Sequence, residues 1–485
     1  MFNPITLIDG YKVDHRRQYP PHTRTVYSNW TPRGSRVEGQ EEVVLFGLQY
    51  FLQRFMMDEM QEGFFGRPKD EVVAAYARRI NGYLGPNEVG TQHIADLHDL
   101  GYMPLQFSSL AEGTRVPLRV PMFVVENTLP EIFWLVNYYE TLLSSTIWMP
   151  CTSATTAYRF RRLLNQYGAL TGTDPGFIDW QGHDFSFRGL PGVEAAAMSG
   201  AGHLLSFYGT DTIPAIDFIE KYYWGDEPDD FLVGGSVAAT EHSVMCAGGH
   251  QTEMETFNRL LELYPGGIVS VVSDTWDLWK VCTEILPKLK DKIMARDGKL
   301  VIRPDSGNPA DILCGDPSVR RGTPIAKGVI ELLWDVFGGT TNSNGYRQLD
   351  PHIGAIYGDA ITFGRAQEIM GRLAAKGFAS GNVVFGVGSY SYQYVTRDTY
   401  GFAMKATWAD IDGEPKDLFK KPITDNGEKF SATGRLAVDK WEDKLYVIEQ
   451  ATPEQEMSSQ LQPRWRDGKF LNRTSISKIR HALWS

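Results

Sequence analysis

The chain has 485 residues, 42% of them hydrophobic, and a formal net charge of −11. That hydrophobic fraction supports a large core and excludes a disordered chain, and the length suits about two to three domains. The negative balance opposes general nucleic-acid binding but leaves room for a local basic pocket that takes a small anion.

The four cysteines, Cys151, Cys246, Cys282 and Cys314, are widely spaced and form no CxxC pair. They suit free thiols in a reducing compartment, so a cytoplasmic location is expected. Met1 to Pro21 places Asp9, Lys12, Asp14, His15, Arg16 and Arg17 where a signal peptide would need an apolar core. The longest uncharged stretch, Thr141 to Tyr158, contains Pro150 and many hydroxyls. It does not read as a membrane span.

In chain order, residues 1–149 read as an α+β segment. A helical stretch runs from Phe46 to Met57, strand-like pieces occur around Arg115 to Val125, and a long apolar helix is expected from Pro130 to Trp148. Residues 150–390 look different. Apolar runs ending in Asp, Gly, Ser or Arg occur at Gly267 to Asp274, Leu300 to Gly307, Ile353 to Asp359, Val383 to Ser389 and, less cleanly, Phe231 to Ser236. Buried parallel strands read as continuous apolar runs, and the loops after them carry chemistry. Crossover-length stretches separate the runs, at Trp276 to Lys292, Ala326 to Phe337 and Gly364 to Lys376. Strand and helix therefore alternate, which favours an α/β fold with a (β/α) barrel-like catalytic domain; an open doubly wound sheet is the alternative. Residues 391–485 are polar and turn-rich, with hairpin signals at Asp412-Gly413, Asp425-Asn426-Gly427 and Asp467-Gly468. The two chain ends are expected to pack together into the additional α+β domain.

His242, Cys246 and His250 fall at i, i+4 and i+8. Three such ligands spread along about 12 Å of a straight helix axis and cannot converge on one ion, so no metal ligand is assigned. Asp211, Asp274, Asp305 and Asp359 would repel one another unless cations and hydroxyl-bearing substrates lay between them. A sugar phosphate with Mg²⁺ meets that need: carboxylates accept from ribose hydroxyls, while Gly358, Gly386 and Gly388 let backbone N–H groups approach a phosphate. Arg188, Arg303, Arg397, Lys405 and Lys420 could supply positive charge.

Several blocks extend these features: Asp9-Gly10-Tyr11-Lys12-Val13-Asp14-His15, Phe46-Gly47-Leu48-Gln49-Tyr50, His183-Asp184-Phe185, Gly209-Thr210-Asp211-Thr212, Glu241-His242-Ser243, Ser270 to Asp274, Arg303 to Pro309 and Gly358-Asp359. In this order the chain resembles the nicotinamide phosphoribosyltransferases, type II phosphoribosyltransferases, from Asp9 to about Arg435. The resemblance implies synthesis of nicotinamide mononucleotide and pyrophosphate from nicotinamide and phosphoribosyl pyrophosphate in NAD salvage, by a homodimer with shared active sites. Phe185 and Tyr11 of the partner subunit would sandwich the pyridine, Asp211 would accept from the carboxamide, and Ser236 and Ser270 would complete that pocket. Arg303, Asp305 and Asp359 would line the ribose and its phosphate, with Arg188, Gly358 and Gly388 near the phosphates. Arg397, Lys405 and Lys420 would hold phosphates of phosphoribosyl pyrophosphate or ATP.

His242 matches the family's phosphorylated histidine, which couples ATP hydrolysis to substrate capture; Asp274 is its expected orienting partner and Glu241 the alternative. Mg²⁺ would ride on substrate oxygens. An ionised Asp211 would oppose a nicotinate carboxylate by on the order of 4 kcal/mol at about 4 Å and an effective dielectric of about 20. Two departures stand out. The chain around Arg33 is shorter than usual, and Gly386-Val387-Gly388-Ser389-Tyr390-Ser391 replaces a glycine-richer loop. A nicotinate-using relative, a metal-dependent barrel hydrolase or aldolase, and a non-catalytic binding protein are the competing readings.

Overall fold

The computed structural model describes residues 2–420 and 432–485; the hairpin expected at Asp425-Asn426-Gly427 lies outside them. The chain divides into two compact units, one of Thr156–Asp217 and Asp230–Tyr394, the other of Met1–Thr155, Phe218–Asp229 and Val395–Ser485.

The first unit is built on a parallel sheet of seven strands: β1 (Gly182–Asp184), β2 (Gly209–Thr210), β3 (Ala238–Ala239), β4 (Gly266–Val272), β5 (Asp297–Arg303), β6 (Ile353–Tyr357) and β7 (Val383–Val387). Their order across the sheet is β2-β1-β7-β6-β5-β4-β3. At the two edges, Gly235 bridges Gly209 while Ala238 and Ala239 pair with β4, so the sheet curls back on itself in a barrel-like ring. The apolar runs at β4 to β7 thus form the strands their composition predicts. Helices such as Val329–Phe337 and Phe363–Ala375 cover them, burying Val271, Ile302, Leu333 and Ile369 in one core.

The segment Phe231 to Ser236 is not a strand. Only Gly235 bridges there, and the short β3 follows it. β1 and β2 were not visible as apolar runs because they span three and two residues of sequence Gly-His-Asp and Gly-Thr.

The second unit holds an antiparallel sheet in which strands Thr23–Pro32, Phe123–Asn127 and Leu105–Ser109 are flanked by Phe402–Ile411 on one side and Gln462–Arg466 on the other. Strand Thr23–Pro32 pairs along its length with Phe402–Ile411. Arg435 reinforces the join: Nε donates to Glu456 Oε1 at 2.6 Å, Nη1 donates to Glu126 Oε2 at 2.9 Å, and the guanidinium lies 4.5 Å from the Tyr27 ring centroid. Asp412 (φ 60°) and Gly413 (φ 82°) make the tight turn between Phe402–Ile411 and Glu414–Asp417, where the left-handed backbone favours Asp-Gly.

Two expectations need correction. The helix foreseen from Pro130 to Trp148 is instead a short turn, Pro130–Ile132, a single helical turn, Leu135–Tyr138, and a 32-residue helix, Glu140–Thr171, that continues through Pro150. Residues Phe218–Asp229, placed by sequence within the catalytic domain, group with the chain ends. Phe218 and Tyr222 pack their rings 4.6 and 4.8 Å from Tyr50, and that aromatic burial outweighs chain continuity. Among the described residues no helix is long and apolar enough to cross a membrane.

His203 links the helix Val193–His203 to β2. A carbonyl only accepts, so Nε2 donates to Gly209 O at 3.0 Å, and Nδ1 accepts from the Tyr392 hydroxyl at 2.6 Å. Burial, opposed by Asp184, pushes this imidazole down to about 4. An unfolded chain binds the proton near pH 6.5, so the stability tied to neutral His203 is complete above about pH 6.5 and is lost as pH falls toward 4. The urea midpoint should drop between pH 7 and pH 5, and His203→Gln, which keeps one donor and one acceptor, should reduce that drop. An unchanged pH slope in the variant would refute this role.

Candidate active site

Because β1 to β7 are parallel, their C-terminal ends share one side of the sheet, and the polar tips gather there. Phe185 follows β1 immediately, two residues after His183, and both side chains line the same cavity. Phe185 N–H donates to Val387 O at 3.0 Å, while Asp184 Oδ1 accepts from the backbone N and hydroxyl of Ser186 at 2.9 and 2.6 Å, fixing the turn that follows. The Phe185 ring rests on the backbone of the neighbouring strands: a Cβ at Gly358 would lie 2.6 Å from it, and one at Gly386 2.2 Å. The Arg303 guanidinium is 5.2 Å from the ring centroid, and its Nη2 is 3.4 Å from Asp305 Oδ2.

Phe185, Asp211, Ser236, Ser270 and Arg303 line one cavity of about 270 Å³. It continues past Lys299 and Ile353 at the opposite strand ends, so it runs along the inside of the sheet. Asp211 Oδ1 accepts from Ser236 Oγ at 2.7 Å and from His183 Nε2 at 2.9 Å. Burial raises the Asp211 pKa, but His183, Ser236 and Arg303 together outweigh it and hold the carboxyl below its ordinary value. Asp211 Oδ2 has no hydrogen-bond partner among the described residues. Ser270 Oγ and Arg303 Nε are also buried without one, an arrangement that a bound polar ligand would relieve.

His242 opens the helix His242–Gly248, with Nε2 3.5 Å from Asp274 Oδ1. Asp274 Oδ2 accepts from Asp305 N at 2.8 Å and from Ser306 Oγ at 2.5 Å, which fixes the carboxylate. Glu241 is instead engaged by the Ser243 hydroxyl. Of the two carboxylates considered for His242, Asp274 is therefore the one in reach. His250 lies beyond that helix with its ring 5.2 Å from Trp276. No group of three or more His, Cys, Asp or Glu side chains among the described residues is arranged to hold a metal ion.

Around the rim, Asp305 Oδ1 lies 3.6 Å from where a Gly358 Cβ would be, and Asp359 and Arg188 are exposed. Gly388 leads into the turn Ser389–Tyr392. The substituted loop is accommodated by Gly189, whose Cβ would fall 2.4 Å from that of Ser389. The rings of Tyr390 and Tyr394 stack with centroids 5.0 Å apart, and both are exposed.

Tyr11, Arg397, Lys405 and Lys420 belong to the other unit. Tyr11 is 63% exposed, with the Lys12 ammonium 5.1 Å and the His15 ring 5.3 Å from its ring centroid. Burial above all, opposed by Glu140 and aided by Arg33, Lys420 and Lys12, pushes Lys405 down, which marks a cluster of cations. Arg33 Nε donates to Gly401 O at 3.1 Å, and Arg397 pairs with Asp398 at 2.7 Å. His183 was not singled out from the sequence, although its two-residue spacing from Phe185 carries the signal.

The profile described as the nicotinate phosphoribosyltransferase (NAPRTase) family matches residues 180–468. That of the nicotinamide phosphoribosyltransferase N-terminal domain matches residues 3–106. The fold recurs in a nicotinate-nucleotide pyrophosphorylase from Pyrococcus furiosus, with a TM-score of 0.60 at 15% identity over 99% of this chain and 94% of that one. It recurs also in human nicotinic acid phosphoribosyltransferase, with a TM-score of 0.54 at 17% identity over 98% and 93% of the two chains. The chain belongs to the nicotinate phosphoribosyltransferase family. Within it, the chain is 48% identical to a nicotinamide phosphoribosyltransferase of Acinetobacter baylyi over 99% of this chain and 97% of that one. It is 35% identical to one of Mycoplasma pneumoniae, over 89% and 95% of the two chains.

Gly386→Ala should leave the far-ultraviolet circular dichroism of the protein intact while displacing Phe185 and raising the substrate KM by about two- to tenfold, the loss of one well-placed ring contact. An unchanged KM would show that the ring does not depend on this close approach.

Proposed function

We propose that this chain is a cytoplasmic nicotinamide phosphoribosyltransferase that forms nicotinamide mononucleotide and pyrophosphate from nicotinamide and phosphoribosyl pyrophosphate. The observation that carries the substrate choice is Asp211. Its Oδ1 is occupied by His183 and Ser236, and its carboxyl is held in the ionised form, leaving Oδ2 to accept a carboxamide N–H. A nicotinate carboxylate would meet like charge at the same point. The pyridine stacks on Phe185, with Tyr11 of the partner subunit covering its other face in a homodimer. Ser270 Oγ and Arg303 supply donors inside the pocket.

In the transfer, the bond from ribose C1′ to the pyrophosphate oxygen breaks and its electron pair leaves with pyrophosphate. The unprotonated pyridine nitrogen donates its own pair to C1′. No general base is needed, so the residues act by position and charge. Asp305 and Asp359 take ribose hydroxyls, Gly358 and Gly388 offer backbone donors, and Arg188, Arg397, Lys405 and Lys420 neutralise phosphates. Magnesium enters as the complex of the phosphorylated substrate.

His242 is the phosphate acceptor from ATP. Nε2 is the ring nitrogen near Asp274, 3.5 Å from Oδ1, so Nδ1 serves as the nucleophile. Nδ1 bonds to the terminal phosphorus, the bridging P–O bond breaks toward ADP, and Asp274 balances the cation formed on the ring.

With both pyridines in competition, nicotinamide should be consumed at least about tenfold faster, and Asp211→Asn, whose amide can donate, should narrow that ratio. Equal or faster turnover of nicotinate by the unaltered protein would overturn the assignment. Replacing His242 by Ala should abolish ATP hydrolysis while some transfer persists; ATP coupling that survives would exclude the phosphohistidine.

A further inference from the structure

The unit that contains the chain ends holds another cavity, of about 300 Å³, formed by three distant stretches of chain: Leu48 to Leu52, Ser109 to Glu112 and Arg464 to Lys478. Arg464, Arg473 and Lys478 face it, against a single carboxylate, Glu112. Glu112 is 7% exposed and already accepts from the backbone N–H groups of Gly47 and Gln49, at 3.0 and 2.6 Å. Among the described residues the side chains of Arg464 and Lys478 have no hydrogen bond or ion pair. Arg473 Nη1 meets only the neutral Gln53 Oε1, at 3.1 Å, and its guanidinium lies 4.3 Å from the Phe470 ring. Arg464 is half-buried, and burial lowers its pKa, with Glu112 opposing the shift. A desolvated guanidinium beside two further cations, without a counter-charge bonded to it, is an arrangement that an incoming anion stabilises.

We infer that this cavity is a binding site for a small phosphomonoester. The Arg464 fork and Lys478 take the phosphate, and Leu48, Leu52, Leu110 and Phe470 receive the organic part. The cavity volume is at the lower end of the range for small-ligand sites. The site shares no residue with the cavity at Phe185, and the inference stands independently of the transferase reading.

Phenyl phosphate, a phosphomonoester with an apolar ring, is the probe, titrated calorimetrically into the full-length protein. The Arg464→Gln, Lys478→Gln double variant should lose one binding site per chain, or bind at that site at least about tenfold more weakly, while kcat/KM for transfer is unchanged. Phenol should fail to bind there. Should the double variant not fold, the exposed single replacement Lys478→Glu should still weaken the site several-fold. Unchanged stoichiometry and affinity in the folded variants, or equal binding of phenol, would overturn the assignment.

Discussion

Seven strands running in one direction impose a single constraint on the barrel-like unit: every strand ends on the same side. The hydrogen-bond register between β4 and β5, unbroken from Gly266 with Asp297 to Val272 with Arg303, carries the loop at Asp274 alongside that at Asp305. The same parallel pairing sets Tyr357 opposite Phe385 and Val387 opposite Asp184, so that Gly358, Gly386 and Phe185 meet. A ring can lie against these strands only because neither glycine has a Cβ. The position of the Phe185 ring is thus a consequence of backbone packing.

The gathered tips also bring carboxylates together, and the structure contains the repulsion by giving them donors. Asp274 is held by the backbone of Asp305 and the hydroxyl of Ser306, Asp211 by His183 and Ser236, and Asp305 lies against Arg303. At Asp211 these donors, with Arg303, outweigh burial and hold the carboxyl below its ordinary value. At Asp211 one oxygen accepts from His183 and Ser236, while the other has no hydrogen-bond partner among the described residues. At Asp274 one oxygen is used to secure position and the other faces His242. The two aspartates show the same division of labour in different chemistry.

The other unit depends on pairing between the chain's two ends. The strands from the first 130 residues have C-terminal strands on both sides, so the sheet needs both parts of the chain. Arg435 adds a charged clasp between Glu126 and Glu456 while lying over Tyr27. In the same unit Lys405 is pushed down by burial first and by the neighbouring cations second, and the residues from Arg464 to Lys478 close a basic cavity over the segment around Gln49. The first cluster joins cations distant in sequence, whereas the second sets cations of one C-terminal stretch against residues near Gln49 and Glu112.

The four longer strands were legible in the sequence because each contains a short apolar run, buried throughout in β6, almost throughout in β7 and toward the C-terminal half of β4 and β5. β1, β2 and β3 were not, because two or three residues carry no period; they survive as strands only through their neighbours. Phe185, Asp211, Ser270 and Arg303 could be named from their motifs, and the fold brings them to one cavity. Asp274 was expected beside His242 with Glu241 as the alternative, and the fold brings Asp274 Oδ1 to 3.5 Å from the ring although Glu241 is the neighbour in sequence. The hydrogen bond from His183 to Asp211, which spans β1 and β2, could not be read from the sequence. Sequence by itself determined which residue types stand at strand ends and the α/β alternation, since both follow from local periodicity and composition. Tertiary structure alone decided which oxygen of Asp211 is occupied, which carboxylate lies beside His242 and which cations share a cavity, because those contacts exist only after the sheet has curled and the chain ends have paired.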